Sequence, residues 1–179
     1  PVSGVQVIES VDVYSNSPEN TVGAAIDTYT TTNVYPVSTI MPAGLWEFVF
    51  WAYADSQSTA SYIHFEIYKV NTSGIQTLLF NTYGTGGADR TLITSLTGST
   101  EAQKKFIATY VVGTDTALLT TDRISVRVIA TAGTTHRIVS FIYQGNAMAS
   151  YILTPFYVQP PMGLQGATGI TGATGVTGL

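Results

Sequence analysis

Two histidines and a few dispersed carboxylates are the side chains of this chain best suited to catalytic or metal chemistry. His64 falls in an alternating stretch between Tyr62 and Glu66, and His136 stands beside a hairpin turn. Neither has a second histidine at the short fixed offset that a zinc or facial-triad site uses. We therefore predict that both lie on a sheet surface and that the chain has no metal site.

The sequence lacks the motifs of the common enzyme classes. It has no Gly-x-Ser-x-Gly elbow, Walker loop or dinucleotide fingerprint. The glycine-rich stretch Gly84–Gly87 is followed by neither a lysine nor a helix start that would hold a phosphate, so we expect a loop there. We predict no catalytic residue and no cofactor. A hydrolase built on a carboxylate pair remains an alternative, with these candidates: Asp55, Glu66, Asp89, Asp115 and Asp122.

Tyrosine supplies a second group of candidate binding residues. These rings would suit a carbohydrate surface, and they would equally suit an interface between copies of the chain. The residues concerned are Tyr53, Tyr62, Tyr68, Tyr83 and Tyr143. Both interpretations stay open at this point.

The chain is poor in charge. It has 7 Lys or Arg, 11 Asp or Glu and a net charge of −4. Without a basic cluster it lacks the electrostatic footprint of nucleic-acid or anionic-membrane binding. No apolar run reaches the ~18 residues of a spanning helix, and there is no cysteine for a disulfide or a thiolate site. We predict no nucleic-acid partner and no membrane insertion.

Short strands are the elements predicted to position these side chains, with one helical turn expected at Thr100–Lys104. The most apolar run, Leu45–Ala54, predicts a central strand covered on both faces. Asn71–Gly74 predicts a hairpin turn. Nine strands are predicted: Val5–Tyr14, Leu45–Ala54, Ser61–Val70, Ile75–Tyr83, Thr91–Leu96, Lys105–Val112, Arg123–Ala130, Arg137–Tyr143 and Ala149–Val158. This pattern predicts an all-β head over residues 1–158, an antiparallel β-sandwich of jelly-roll type.

Glycine recurs at every third position near the C-terminus, after a proline-rich junction at 159–162. A collagen triple helix requires this period because only glycine fits at the crowded axis of three chains. We therefore predict a collagen-like stalk at 163–179 and a homotrimer. No triplet contains proline, so the stalk would depend on the head or on further triplets for stability. The glycines in register are Gly163, Gly166, Gly169, Gly172, Gly175 and Gly178.

Two other interpretations of the repeat remain open. Leu164, Ile170 and Val176 recur every six residues, a period that β-solenoids use, although so few hexads could not close a stable stack. The segment also fits a flexible Gly/Thr linker. In that case the head would be a carbohydrate-binding module.

A β-sandwich joined to Gly-X-Thr triplets, as in residues 166–171 (Gly-Ala-Thr-Gly-Ile-Thr), resembles the collagen-like fibre proteins of viruses, bacteriophages and bacterial spore surfaces. The resemblance implies a trimeric head similar to the complement and tumour-necrosis-factor jelly rolls. It implies a virion surface or a spore or cell exterior, and a role in assembly or in attachment to a host glycan or protein receptor. It leaves open whether the head is a tip, a base or a bead between stalks.

The same resemblance implies O-linked sugars on the stalk threonines. They occupy the third triplet position at Thr168, Thr171, Thr174 and Thr177. Threonine also suits an extended backbone and keeps a rod soluble, which is the simpler interpretation.

Overall fold

The computed structural model describes residues 7–13, 23–32, 38–56, 60–83, 90–95, 104–132, 137–144 and 150–156. These ranges contain strands and no helix, so none of their segments could cross a membrane as a helix. The strands are β1 (Val7–Val13), β2 (Ala24–Thr30), β3 (Ile40–Met41), β4 (Gly44–Ala54), β5 (Ser61–Val70), β6 (Gln76–Asn81), β7 (Thr91–Ile93), β8 (Lys104–Val112), β9 (Thr116–Ala117), β10 (Arg123–Ala132), β11 (Arg137–Gln144) and β12 (Tyr151–Leu153). Every pairing among them is antiparallel.

The first sheet is organised around β4, which is paired along both edges. β8 pairs with residues 44–52 of β4 on one edge. On the other edge β12 pairs with residues 47–49 and β11 with residues 51–54. β1 pairs with the far side of β11, which gives the order β1, β11, β4, β8 with β12 beside the first half of β4.

Ser150 lies where β4 changes partner from β12 to β11. Its hydroxyl donates to the backbone carbonyl of Ile142 and accepts from the backbone N–H of Trp51. These bonds satisfy two backbone groups at the gap between the strands, where an unpaired group would be costly. One side chain thereby stabilises the junction of three strands.

The second sheet has the order β2, β10, β5, and β6 and β7 share the far edge of β5. Thr82 lies between these two strands. Its side chain accepts from the backbone N–H of Phe65 at 3.0 Å, and its own N–H donates to the carbonyl of Phe65 at 2.9 Å. The edge of β5 therefore stays hydrogen-bonded where β6 ends. β3 and β9 form a separate two-stranded ladder.

An aromatic core joins the two sheets into a sandwich. The even-numbered side chains of β4 point into it, and Trp46, Phe48 and Phe50 are each 1% exposed. Across the core, Phe65 of β5 stacks on Phe48 with ring centroids 4.5 Å apart. It also meets Phe50 edge-on at 5.2 Å. The prediction of an all-β chain with antiparallel strands in a sandwich is confirmed.

The outer face of β4 differs from the prediction. Leu45–Ala54 was expected to be covered on both faces, but its odd-numbered side chains point away from the core and Leu45 is 54% exposed. Trp51 and Tyr53 are half-buried. Val49 on the same side is only 2% exposed, so the prediction of a covered outer face is wrong at Leu45 but not along the whole strand. An apolar run does not reveal how far the rest of the chain covers each of its faces.

The other elements follow the predicted pattern with three omissions. Ser61–Val70 is confirmed as β5, and the Asn71–Gly74 turn is confirmed by a 3.0 Å bond from the N–H of Gly74 to the carbonyl of Asn71. The sequence did not predict β2, β3 or β9, which are short or lie in a threonine-rich stretch with weak alternation. The predicted helical turn lies outside the described residues except for Lys104, which begins β8.

Candidate functional site

The outer face of the first sheet carries exposed apolar side chains, and we call it the apolar face. Large hydrophobic residues of β4, β8 and β12 are between 47% and 68% exposed there. They are Leu45, Ile107, Val111, Tyr151 and Leu153. Contiguous apolar surface of this kind commonly marks a contact site.

Strand register makes the apolar face continuous. Leu45 of β4 is opposite Val111 of β8. Val49 lies between Ile107 on one side and Tyr151 on the other, and it is only 2% exposed between these neighbours. The apolar side chains of three strands therefore form one surface.

The outward positions of β4 and β8 include one residue of each charge sign. Glu47 lies between Thr109 and Leu153, and Lys105 lies opposite Trp51. Two copies of the face could therefore bring an acid and a base together.

The outer face of the second sheet is polar and aromatic, and we call it the tyrosine–arginine face. β5 contributes alternate residues, β10 contributes an arginine opposite Glu66, and the segments next to β6 and β7 add a tyrosine and an arginine. Its members are Tyr62, His64, Glu66, Tyr68, Tyr83, Arg90 and Arg127.

Arg90 lies over two of the tyrosine rings. Its guanidinium carbon is 4.4 Å from the ring centre of Tyr62 and 5.1 Å from that of Tyr83. The same side chain donates to the hydroxyl of Thr131 at 3.0 Å. Cation–π contacts of this length are attractive.

Arg127 makes a second cluster on the same face. Its guanidinium carbon is 4.9 Å from the ring centre of Tyr68, and one of its nitrogens is 3.4 Å from the Glu66 carboxylate. The hydroxyl of Tyr68 donates to Glu66 at 2.7 Å. Burial raises the pKa of Tyr68 above its usual value, and the bond to Glu66 adds to the rise. The cluster therefore keeps Tyr68 a neutral donor well into the alkaline range.

His64 is buried beneath these aromatic residues. It is 2% exposed and meets the Tyr83 ring edge-on at 5.0 Å. Burial, assisted by the charge of Arg90, lowers the pKa of His64 from 6.5 to about 4. Its Nδ1 has no hydrogen-bond partner among the described residues. His64 lies on the predicted side of the strand, with Tyr62 and Glu66, but the prediction of a surface position is wrong because its imidazole is buried under neighbouring side chains.

Two of the candidate carboxylates accept hydrogen bonds from the backbone, and Glu66 belongs to the tyrosine–arginine face. Asp115 accepts from the N–H of Ala43 at 2.7 Å. Asp122 accepts from the N–H of Leu119 at 2.8 Å and lies 4.0 Å from the ammonium of Lys69. Asp55 is exposed after β4. The described residues contain no group of three or more His, Asp or Glu that could hold a metal ion.

Several predicted site residues lie outside the described residues. They include His136, Asp89, the loop Gly84–Gly87, and the whole of 157–179 with its repeat glycines and threonines. The side chain of Tyr143 is not described. Of the predicted tyrosines, Tyr62, Tyr68 and Tyr83 come together on one face, whereas Tyr53 lies on the outer side of the opposite sheet.

Sequence reasoning missed the two arginines that complete the tyrosine–arginine face. Arg127 shares one side of a predicted strand with Ser125 and Ile129, but only the pairing of β10 with β5 places it opposite Glu66. Arg90 follows a glycine-rich loop and gave no periodic signal. A prediction of strand order would have been needed to find either contact.

Comparison with known proteins gives little functional information. No family model and no curated protein matches the chain. Among solved structures, the fold is similar to part of a CocE/NonD family hydrolase from Staphylococcus aureus, with a TM-score of 0.47 and 8% identity. The match covers 85% of this chain and 33% of the hydrolase, so this chain corresponds to about a third of that protein. A similarity this distant does not indicate that this chain shares the activity of the hydrolase.

Proposed function

We propose that the chain is a structural and adhesive fibre protein, with a homotrimeric head and a collagen-like stalk at 163–179. The unbroken glycine period is the observation that carries this proposal, because three chains are needed wherever every third residue must fit a crowded axis. The protein acts on a virion surface or on the exterior of a spore or cell, in assembly or host attachment. No catalytic role forms part of the proposal.

The strand order supports a jelly roll as the finer description of the head. The order β1, β11, β4, β8 in one sheet and β2, β10, β5, β6 in the other means that the chain crosses repeatedly between sheets. Double-sheet closure with eight main strands is typical of jelly rolls.

The apolar face supports self-association of the head. Obligate interfaces between identical chains are more apolar than other protein surfaces, and aromatic and aliphatic anchors fill their centres. Leu45, Ile107 and Val111 are exposed aliphatic side chains of this surface. Burying them between copies removes apolar area from water, which is the main favourable term in association.

The position of β12 connects the apolar face with the stalk. Leu153 ends β12 and is exposed on that face, and Gly163 begins the repeat ten residues later. Ten extended residues reach at most about 35 Å. Three chains joined at the repeat would therefore hold three apolar faces close to one axis.

Mass measurement tests the proposal directly. Light scattering of the full chain should give three times the mass of one chain at micromolar concentration, and circular dichroism should show a triple-helical transition. Gly169→Ala should lower the temperature of that transition because only glycine fits the axis, whereas Ala167→Ser should not. A monomer with the tail intact would contradict the proposal.

A carbohydrate-binding module with a flexible Gly/Thr linker is the second candidate function. The tyrosine–arginine face favours it, because Tyr62 and Tyr68 place aromatic rings beside hydrogen-bonding side chains on an outer surface. This function predicts a monomer that binds glycans, so the mass measurement separates the two. In the fibre protein, the stalk threonines Thr168, Thr171, Thr174 and Thr177 would carry O-linked sugars, which mass spectrometry of native material would detect.

A further inference from the structure

We propose that the tyrosine–arginine face binds a carboxylated glycan. This inference rests on the proposed role in attachment and adds the binding surface and the chemical class of the ligand. Its support comes from the position of the face, its aromatic rings, its guanidinium groups and their charge.

The position of the face leaves it open for a ligand. The two outer faces of a β-sandwich point in opposite directions, with two sheets and the core between them. Packing through the apolar face of the first sheet therefore leaves the second sheet directed away from the other copies. Tyr62, Tyr68, Tyr83 and the side chain of Arg127 all remain partly exposed.

The aromatic rings are spaced for an extended ligand. Tyr62 and Tyr68 lie on the same side of β5, six residues apart, which corresponds to about 20 Å along the strand. A tyrosine ring offers apolar area for the C–H surface of a sugar, and its hydroxyl offers a polar group at the edge. A chain of several sugars could contact both ends of this row.

Arg127 is the group best placed to bind the ligand. It lies between the two tyrosines, and its side chain is 33% exposed. Its bonds to Glu66, Tyr68 and Gln76 are 3.3 to 3.4 Å long, whereas N–H···O bonds are commonly about 2.9 Å. A carboxylate arriving from solvent could form shorter, charge-assisted bonds with the guanidinium fork.

Charge distinguishes an acidic from a neutral glycan. Three of the four arginines of the chain, Arg90, Arg123 and Arg127, lie on or beside this face, although the chain has a net charge of −4. Arg123 lies on the same side of β10 as Arg127. Glu66 offsets one of these charges by pairing with Arg127, but the arginines still outnumber it on this face, which favours an anionic ligand there.

Titration calorimetry with defined probes tests the inference. The full chain should bind sialyllactose or trigalacturonate at low ionic strength and should bind lactose much more weakly. Arg127→Gln should lower the affinity roughly tenfold or more, because a hydrogen bond to a charged group is lost. Lys104→Gln removes the same charge from β8 of the first sheet and should leave the affinity unchanged.

A second variant covers the case in which Arg127→Gln does not fold. Arg123 is the first residue of β10, at the end of the sheet. Arg123→Gln should therefore weaken binding of the acidic probes without affecting the tyrosines that stack on Arg90 and Arg127. Equal binding of lactose and sialyllactose, equal effects of Arg127→Gln and Lys104→Gln, or no binding of any probe would overturn the inference. Light scattering on the same sample keeps the tests separate, because a trimer without glycan binding defeats this inference alone.

Discussion

The rings of Phe48 and Phe65 stack across the sandwich with centroids 4.5 Å apart and planes inclined by 14°. The first ring belongs to the central strand of one sheet and the second to a central strand of the other. This pair therefore joins the two layers at the middle of the core.

Phe48→Ala should destabilise the head by about 3–5 kcal/mol, the usual cost of truncating a buried phenylalanine. The site cannot collapse easily because Phe65 also contacts Phe50 from the other side. Urea unfolding followed by tryptophan fluorescence would measure the loss. Leu119→Ala is the matched control, since Leu119 is 65% exposed and its truncation should change stability by less than about 0.5 kcal/mol.

Stability should fall as the pH is lowered from 6.5 towards 4. Burial lowers the pKa of His64 from 6.5 to about 4. Within that window the unfolded chain takes up a proton at His64 while the folded chain does not, so proton uptake favours unfolding. The expected loss is about 3 kcal/mol across the window, measured by urea unfolding at a fixed protein concentration.

His64→Gln isolates this contribution to the pH dependence. Glutamine has no titrating group, so the variant should lose stability less steeply between pH 6.5 and 4 than the parent does. The carboxylates titrate in both proteins, so their contributions to the pH dependence of stability cancel in the comparison. Equal slopes for the two proteins would show that His64 is protonated in the folded state.

Ile107→Glu should dissociate the proposed trimer without unfolding the head. Ile107 is 53% exposed in the described chain, so the substitution removes no core contact. In an interface it would bury a carboxylate in each copy, at a cost of several kcal/mol. Light scattering would report the mass and circular dichroism the fold. Leu119→Glu, at another exposed position, should remain a trimer, and dissociation by both variants would argue against a specific interface.

Replacing either of two glycines with positive φ by alanine should lower the stability, but by different amounts. Gly23 has a φ of 76°, and a Cβ there would collide with the carbonyl oxygen of Ala130. Gly74 has a φ of 79° with nothing within 4 Å. Gly74→Ala should therefore cost about 1–2 kcal/mol of backbone strain, and Gly23→Ala should cost more. Thermal unfolding of both variants gives the comparison, with Gly74→Asn as a tolerated reference because asparagine accepts this conformation.

The strands were predictable where one side of the sheet faces the core. In Ser61–Val70 the inward residues Ile63, Phe65 and Ile67 alternate with polar neighbours, and the periodicity reports that burial directly. In Leu45–Ala54 both sides are apolar, so the periodicity was lost and exposure of the outer side could not be foreseen. β2 had only a weak strand signal because threonine and alanine occupy much of it.

The candidate site was predictable in part for a related reason. Tyr62, His64, Glu66 and Tyr68 share one side of a strand, and the period of two was enough to group them. The contribution of Arg127 depends on register between strands that are separated by more than fifty residues of chain. Local sequence does not specify such long-range pairing, because register is set by the whole sheet and its turns.

The short length of β12 has a mechanical consequence. Tyr151–Leu153 is the last described strand before the chain continues toward the glycine repeat, and it is held by pairing with residues 47–49 of β4. Tension transmitted along the proposed stalk would act first on Phe156, whose ring meets Trp46 edge-on with centroids 5.8 Å apart, and then on this three-residue ladder. β4 would stay paired with β8 and β11, so the segment from β12 to Phe156 could extend under load while the stack of Phe48 on Phe65 stays intact.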